Sequence, residues 1–186
     1  RLGWPVISDI LERLLSALSH AHARGVIHLD LKLSNILIGE DPTDLRLRDF
    51  GLADLYRQAS RAGKPTPMGG TPTYMAPEQI QQNWRAIGPW TDLYSLGILT
   101  YILTSGRRPF TGEDNDAVLA AHLTEEVPPL PPYAAATPGL DKWISQLTSR
   151  QIRSRFRSAP AAMAALLHTQ KARLQRAKQA VYTNVK

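Results

Sequence analysis

The sequence HLDLKLSN at residues 28–35, together with DFG at residues 49–51, decides how the rest of this chain is interpreted. Two short apolar runs, NILI at residues 35–38 and LRLR at residues 45–48, lie between these motifs. They are separated by GEDPTD at residues 39–44, whose residue types favour turns. This pattern predicts a β-hairpin. The hairpin would carry an Asp/Lys/Asn loop at one end and an Asp-Phe-Gly at the other.

The polar residues of the two motifs have the chemistry that phosphoryl transfer to a hydroxyl requires. One carboxylate orients the attacking hydroxyl, and a cation balances the charge of the moving phosphoryl group. An Asn and a second Asp hold Mg²⁺. Asp30, Lys32, Asn35 and Asp49 are residues of these types. A DFG triplet alone is weak evidence, because such triplets arise by chance.

Further motifs make the chain resemble the eukaryotic-type protein kinases. The catalytic loop of that family reads H-R-D-L-K-x-x-N, which residues 28–35 match at five positions, and the DFG motif is matched in full. The remaining matches are GTPTYMAPE at residues 70–78 (the docking segment below), DLYSLG at residues 92–97, GRRPF at residues 106–110 and Arg155. The resemblance covers residues 6–168. Because five motifs occur in the right order and at workable spacing, the match is specific.

The resemblance implies a role for each polar residue near the transferred group. Asp30 would be the catalytic base, or at least orient the hydroxyl, and Lys32 would steady the charge of the nucleotide's transferring phosphoryl group. Thr71 would hydrogen-bond both residues and shape the docking segment for a Ser or Thr side chain. This Lys and Thr are similar to those of Ser/Thr kinases. The activity implied is transfer of the ATP γ-phosphoryl group to Ser or Thr hydroxyls of proteins.

ATP and Mg²⁺ are the cofactors that the resemblance implies. Asn35 and Asp49 would be the metal ligands, since Mg²⁺ prefers oxygen ligands and keeps several waters or phosphates. Leu37 would form the floor under the adenine ring, or it is an ordinary core residue. His28 and Phe50 are expected to be structural, with His28 packed under the DFG motif.

Four residues elsewhere carry expectations from the same resemblance. Asp92 looks like the family's buried helix Asp that hydrogen-bonds the backbone of the catalytic loop. Glu78 and Arg155 should form a buried, bidentate ion pair, although two neighbouring arginines are rival partners. Leu29 departs from the family pattern, which has Arg before the catalytic Asp.

The expected fold is α+β and mainly helical: a protein-kinase-like large (C-terminal) lobe with a small β-hairpin at the active site. Residues 1–168 would form the kinase domain, incomplete at its N-terminus, and residues 169–186 a basic helical tail or linker. We expect the N-terminal lobe to be absent, because the sequence holds no Gly-x-Gly-x-x-Gly and reaches the catalytic loop at residue 28. On that expectation, the chain by itself would transfer no phosphate.

Hydrophobic periodicity predicts five helices. Their expected bounds are Ser8 to Arg24, Thr91 to Ser105, Glu113 to Leu123, Leu140 to Thr148 and Ala159 to Leu167. The first would have Ser8 as its N-cap and stop at Gly25, and the second is apolar nearly all round, as a buried helix is. Residues 26–27 should form a short strand. Residues 54–72, rich in Gly, Pro, Ser and Lys, should form a mobile loop.

Composition fits one soluble domain in the cytoplasm. Of the 186 residues, 43% are hydrophobic, and no run approaches the ~20 apolar residues of a membrane span. The absence of Cys excludes disulfides and thiolate metal sites. The histidines outside the catalytic loop have no ligand spacing with acids and are expected to be ordinary. They are His20, His22, His122 and His168.

Positive charge is concentrated at the C-terminal end. Residues 1–141 carry 12 Lys or Arg and all 16 Asp or Glu, whereas residues 142–186 carry 10 Lys or Arg and no acid. The basic tail contains Lys171, Arg173, Arg176 and Lys178. Two interpretations stay open: a solvated helix leading into a linker, or a segment attracted to the anionic inner face of a membrane. Nucleic acid is not an expected partner, because no aromatic residues interleave with these basic ones.

Two other functional classes compete with a protein kinase. A pseudokinase or scaffold would bind partners without catalysis, and the intact Asp30, Lys32, Asn35 and Asp49 argue against it. A small-molecule kinase of the aminoglycoside phosphotransferase kind shares the Asp and Asn but lacks an Ala-Pro-Glu like that at residues 76–78. The docking segment further resembles bacterial members of the family. That resemblance implies a signalling kinase with protein substrates, an appended sensor or effector, and in full length a homodimer.

Overall fold

The computed structural model describes residues 2–39, 44–61, 69–134, 137 and 139–183. Within these ranges the chain is mainly helical, with one small sheet, as the sequence predicts. The helices are α1 (Trp4–His22), α2 (Gly51–Arg61), α3 (Pro77–Ile80), α4 (Pro89–Ser105), α5 (Asn115–Thr124), α6 (Leu140–Leu147) and α7 (Ala159–Thr183). The strands are β1 (Ile36–Ile38) and β2 (Leu45–Leu47). Short 3₁₀ turns include Leu33–Asn35 and Pro72–Tyr74.

The predicted β-hairpin is confirmed. β1 and β2 pair antiparallel, with Ile36 opposite Leu47 and Ile38 opposite Leu45. Past the paired strands, the main-chain N–H of Arg48 donates to the carbonyl of Asn35 at 2.9 Å. The end of the catalytic loop and the start of the DFG motif are therefore held side by side.

Helix α4 lies at the centre of the core. Twelve of its 17 residues are buried, including all of residues 91–101, which confirms the interpretation of its all-round apolar pattern. Helix α1 packs one Leu-rich face against α4 and α7, and α6 packs against the same two helices. Gly97 allows that approach, because a Cβ there would come within 2.6 Å of the Thr148 methyl carbon. The catalytic loop rests on this helical platform.

The first helix begins four residues earlier than the sequence predicted. Gly3 is its N-cap and Pro5 occupies its first turn, where the fixed φ of Pro and its missing N–H are tolerated. Ser8 is therefore not the N-cap, and its hydroxyl instead donates to the carbonyl of Pro5 at 3.0 Å. The expected stop is confirmed, since Gly25 has a φ of 69°.

Two local predictions are wrong. Residues 26–27 form no strand, because the N–H groups that follow them donate to a carboxylate on α4 and not to a neighbouring strand. Residues 54–61 belong to helix α2 and not to a loop. This part lacks the Gly and Pro that dominate residues 63–67, and it is anchored by buried Ala53 and by the Tyr56 hydroxyl, which donates to the carbonyl of Trp84 at 3.1 Å. Residues 62–68 lie outside the described residues.

The last three predicted helices are present with shifted bounds. Asp114 caps α5, accepting a hydrogen bond from the N–H of Ala117 at 2.8 Å. Helix α6 begins where predicted, and α7 continues past the expected end at Leu167. The boundary between a kinase domain and a tail at residues 168–169 stays a prediction. None of the described helices is long and apolar enough to cross a membrane.

Candidate active site

The backbone of the catalytic loop is fixed by one buried carboxylate. Asp92, on α4 and 1% exposed, accepts hydrogen bonds from the N–H of His28 at 2.8 Å and the N–H of Leu29 at 2.9 Å. This confirms the role expected of Asp92. Leu29 is 4% exposed and has a φ of 68°, a conformation that is costly for a bulky residue. The paired N–H groups hold the loop in that conformation.

Asp30 lies between a cation and a hydroxyl. Its Oδ2 accepts from the Lys32 ammonium at 2.5 Å, and its Oδ1 accepts from the Thr71 hydroxyl at 2.8 Å. The Lys32 ammonium also donates to Thr71 Oγ1 at 3.1 Å. The hydrogen bonds that the sequence predicted from Thr71 are therefore present. The three side chains form a closed triangle between the catalytic loop and the docking segment.

Asn35 and Asp49 offer oxygen atoms at the same end of the hairpin. The Asn35 amide group donates to the main-chain carbonyl of Asp30 at 2.9 Å, which fixes its orientation. Its side-chain oxygen accepts no hydrogen bond from any described residue. Asp49 is exposed, and its carboxylate likewise has no hydrogen-bond partner within the described ranges. An amide and a carboxylate oxygen are suitable donors for Mg²⁺. No cluster of three His, Cys, Asp or Glu is present among the described residues, so other ligands would be water or phosphate.

Asp49 is held in an unusual backbone conformation. Its φ is 68°, in the left-handed region that is uncommon for residues other than Gly and is tolerated best by Asn, Asp and His. Next to it, the Phe50 ring lies 4.5 Å from the His28 ring. His28 is fully buried, and its Nε2 donates to the carbonyl of Arg48 at 3.0 Å. His28 therefore packs under the DFG motif, as expected.

Leu37 lies on β1 and is 45% exposed, so it is not part of the described core. The neighbouring Leu33 and Ile38 are also exposed. This placement argues against the simpler interpretation of Leu37 as an ordinary core residue.

The docking segment is fastened to the late helices by the predicted ion pair. Arg155 Nη1 and Nη2 donate to the two carboxylate oxygens of Glu78 at 2.8 and 3.0 Å, and both residues are buried. The Thr91 hydroxyl donates to the same carboxylate at 2.8 Å, and the Arg155 Nε donates to the carbonyl of Ser149 at 2.6 Å. A buried charge pair needs such additional partners.

Sequence reasoning missed two residues that join the docking segment to the rest of the site. Gln79 is buried, and its amide donates to the carbonyl of Leu29 at 2.8 Å while its oxygen accepts from the N–H of Ala76 at 3.1 Å. His122 is fully buried against Tyr94. Neither belongs to a spacing pattern, because their partners are 28 to 50 residues away.

A third missed residue is His22. The sequence predicted an ordinary residue with no ligand spacing to acids, but its Nε2 lies 2.8 Å from Asp92 Oδ2 and the side chain is only 7% exposed. The expectation that the histidines outside the loop are ordinary is therefore wrong for His22 and His122. After α1 the chain turns at Gly25 and runs back to Asp92. The spacing of residues along the sequence does not show this return.

The comparisons with known proteins agree with this geometry. The profile of the protein kinase domain family matches residues 4–169. The serine/threonine-protein kinase pkn3 of Myxococcus xanthus is 34% identical over 183 residues, which are 91% of this chain and 33% of that protein. The serine/threonine-protein kinase PknA of Mycobacterium tuberculosis is 42% identical over 128 residues, which are 67% of this chain and 28% of PknA.

A solved structure adds the same relationship in three dimensions. Rad53 residues 1–466, in complex with AMP-PNP, matches with a TM-score of 0.67 at 26% identity, covering 87% of this chain and 39% of that chain. The chain spans about a third of the length of the curated relatives it matches. With the fold, the motifs and these relatives in agreement, the chain belongs to the protein kinase domain family and is similar to bacterial serine/threonine-protein kinases.

Proposed function

We propose that the protein containing this chain is a kinase that transfers the γ-phosphoryl group of ATP to Ser or Thr hydroxyls of other proteins. The observation that carries the proposal is the triangle of Asp30, Lys32 and Thr71. It places a carboxylate, a cation and a hydroxyl from the docking segment within 3.1 Å of one another. Phosphoryl transfer depends on such positioning and charge balance.

Asp30 is the group that takes hold of the substrate hydroxyl in this proposal. Its carboxylate accepts the hydroxyl's hydrogen bond and aims the oxygen at the γ-phosphorus. It takes the proton as the new P–O bond forms and the bond between the γ-phosphorus and the ADP oxygen breaks, so that ADP leaves. Lys32 offsets the negative charge carried by the transferring group. Thr71 holds the docking segment against Asp30, so a short Ser or Thr side chain reaches the carboxylate.

Asn35 and Asp49 are the residues that would hold Mg²⁺ with the nucleotide phosphates, because their side-chain oxygens have no partner among the described residues. The metal would supply charge neutralisation at the β- and γ-phosphates. Leu37 would lie under the adenine ring, which its exposure on β1 supports. The similarity to Rad53, whose solved structure is a complex with AMP-PNP, supports nucleotide binding by this protein.

We further propose that the protein acts in the cytoplasm with its basic tail against an anionic membrane surface. The support is compositional: residues 142–186 hold 10 basic residues and no acidic one. A homodimer of the full-length protein stays a prediction, and the same is true of the absence of nucleic acid as a partner.

The activity is tested on the full-length protein with ATP, Mg²⁺ and matched peptides that differ only in Ser, Thr or Tyr as acceptor. We expect transfer to Ser and Thr. Asp30→Asn should lower kcat by about a hundredfold or more, because it keeps the shape of the side chain and removes the base. Asp44→Asn is the control, since Asp44 is exposed and its carboxylate, among the described residues, pairs with Arg46.

Three results would contradict the proposal. Near-normal turnover by Asp30→Asn would remove Asp30 from the mechanism. Transfer to Tyr alone would overturn the substrate class. A full-length protein that binds peptides without any phosphoryl transfer would identify a pseudokinase or scaffold.

A further inference from the structure

His122 lies directly behind the docking segment. It belongs to α5, has no exposed surface, and its ring meets the Phe110 ring edge-on at 4.7 Å. Its neighbour Ala121 shares a buried cluster with Ala76 of the docking segment, and Tyr74 packs against that cluster. A fully buried imidazole thus lies among α4, α5 and the 3₁₀ turn Pro72–Tyr74. The mechanism proposed above does not use it.

Tyr94 determines which ring nitrogen of His122 carries the proton. The Tyr94 hydroxyl and His122 Nδ1 are 2.8 Å apart, and the hydroxyl has no other partner among the described residues. Burial raises the pKa of Tyr94, so the phenol keeps its proton. The hydroxyl therefore donates to Nδ1, and the proton of the neutral imidazole resides on Nε2.

Helix α5, which carries His122, packs against the 3₁₀ turn Pro72–Tyr74 of the docking segment. Burial lowers the pKa of His122 to about 4, and hydrogen bonding to the main chain of Thr73 and Pro72 raises that pKa by a smaller amount. A hydrogen bond that favours the protonated ring is one that the ring donates, so the acceptors are main-chain carbonyls. Yet Nε2 has no hydrogen bond of ordinary geometry among the described residues. A buried donor with an incomplete bond favours any shift that completes it.

We propose that His122 is a positioning residue for the protein substrate, whose Nε2–H bonds the main chain of Pro72–Thr73 when the docking segment adopts its substrate-binding shape. The residue before this pair is Thr71, which contacts Asp30 and Lys32. His122 therefore couples α5 to the surface that receives the substrate, without touching the reacting atoms. This inference rests on the proposed kinase function and adds a determinant of peptide binding to it.

Two nearly isosteric substitutions separate the two nitrogens. His122→Gln places an amide N–H near the position of Nε2, whereas His122→Asn keeps a polar atom near Nδ1 and has no donor that reaches the docking segment. In the full-length enzyme we expect His122→Asn to raise the KM for a Ser peptide about tenfold. His122→Gln should stay within about threefold of the parent. The KM for ATP and kcat should be unchanged in both.

A spectroscopic measurement tests the same inference without turnover. Nitrogen-15 NMR of the parent should report the Nε2–H tautomer of His122, and the Nε2 proton should move downfield when the peptide binds. In Tyr94→Phe, which removes the donor to Nδ1, that tautomer should lose its dominance. If His122→Asn does not fold, the tautomer of the parent and its response to peptide decide the question.

The outcomes distinguish this inference from the proposed function. A full-length parent that phosphorylates no Ser or Thr peptide would overturn both. A parent that does so, with an unchanged peptide KM in His122→Asn, would overturn only the role of His122. Equal changes in the KM for ATP and for peptide, or an Nδ1–H tautomer, would likewise overturn it.

Discussion

Leu29 is the residue whose chemistry bears most directly on regulation. It adjoins Asp30, is 4% exposed, and its main chain is fixed by Asp92 on one side and Gln79 on the other. A guanidinium at this position would make a positive pocket beside the catalytic carboxylate, which a phosphate on the loop could neutralise. An apolar side chain supplies no such pocket. Loop phosphorylation therefore lacks its usual electrostatic connection to the site.

We expect dephosphorylation of the full-length enzyme to change kcat by less than about tenfold, equivalent to about 1.4 kcal/mol in the barrier. The candidate acceptors are Ser60, Thr66 and Thr73. Thr71 is a poor acceptor, because its hydroxyl already donates to Asp30. The measurement compares phosphatase-treated enzyme with enzyme left to autophosphorylate. A larger loss of kcat, with activity restored by Thr66→Glu, would contradict the prediction. It would show that the loop phosphate controls the site although position 29 carries no guanidinium.

We also expect His122 to make the folded protein sensitive to acid. Its pKa is about 4 in the folded protein, against 6.5 for an exposed His. Between these values the unfolded chain binds a proton that the folded chain does not. Stability from this residue is therefore complete above about pH 6.5 and falls as the pH drops towards 4. Between pH 6.5 and pH 4, the free energy of unfolding should fall by about 3 kcal/mol because of this residue.

The measurement is the free energy of unfolding of the parent and of His122→Gln between pH 7 and pH 4. Gln does not titrate, so the difference between the two curves isolates His122 from the other histidines. A constant difference across this window would show that His122 titrates normally in the folded protein.

Among the elements, the docking segment and the turn before α7 depend on one another through Glu78 and Arg155. The pair is bidentate and buried, with Thr91 and Ser149 as further partners. The Arg155 guanidinium also lies 4.8 Å from the centre of the Tyr94 ring. The rival partners Arg153 and Arg157 are both exposed, and Arg153 donates to Gln151. Arg155 is therefore the residue that pairs with Glu78.

Removing either partner should lower the free energy of unfolding by about 3–5 kcal/mol, because the remaining charge stays buried without its counterion. Glu78→Ala and Arg155→Ala are compared with the parent by urea unfolding, and Arg153→Ala serves as the matched control. A Glu78→Ala protein as stable as the parent would contradict the prediction.

Charge is distributed unevenly over the whole molecule, and this affects how the protein would meet an anionic surface. Residues 1–141 have a net charge of −4, from 12 basic and 16 acidic residues, whereas residues 142–186 have a net charge of +10. Such a separation favours an orientation in which the C-terminal end of α7 faces an anionic surface. Each basic residue near such a surface contributes about 1 kcal/mol, and salt screens this attraction.

We expect the full-length protein to bind vesicles that contain phosphatidylserine and to leave phosphatidylcholine vesicles unbound. Replacing Lys171, Arg173, Arg176 and Lys178 with Gln should weaken this binding by about a hundredfold or more. The control replaces Arg107 and Arg108, which are exposed and follow the C-terminal end of α4. Cosedimentation at low and high salt measures the effect. Equal binding to both vesicle types would indicate a solvated linker.

The sequence by itself determined the features whose causes are local. The turn-forming residues 39–44 between two apolar runs set the hairpin, and Gly25 set the end of α1, because a left-handed φ suits Gly. The order and spacing of the motifs identified Asp30, Lys32 and Thr71 as one group. The all-round apolar pattern of residues 91–105 identified the central helix.

Only the tertiary structure decided which distant residues share a hydrogen bond. His22 reaches Asp92 across 70 positions, Gln79 reaches Leu29 across 50, and His122 reaches Tyr94 across 28. These pairs depend on how α1, α4 and α5 pack, and a single side chain carries no periodic signal of that packing. Helix starts also required the structure, since Pro5 and Ser8 both suit a first turn and the apolar contacts of Ile7 with the core favour the earlier one.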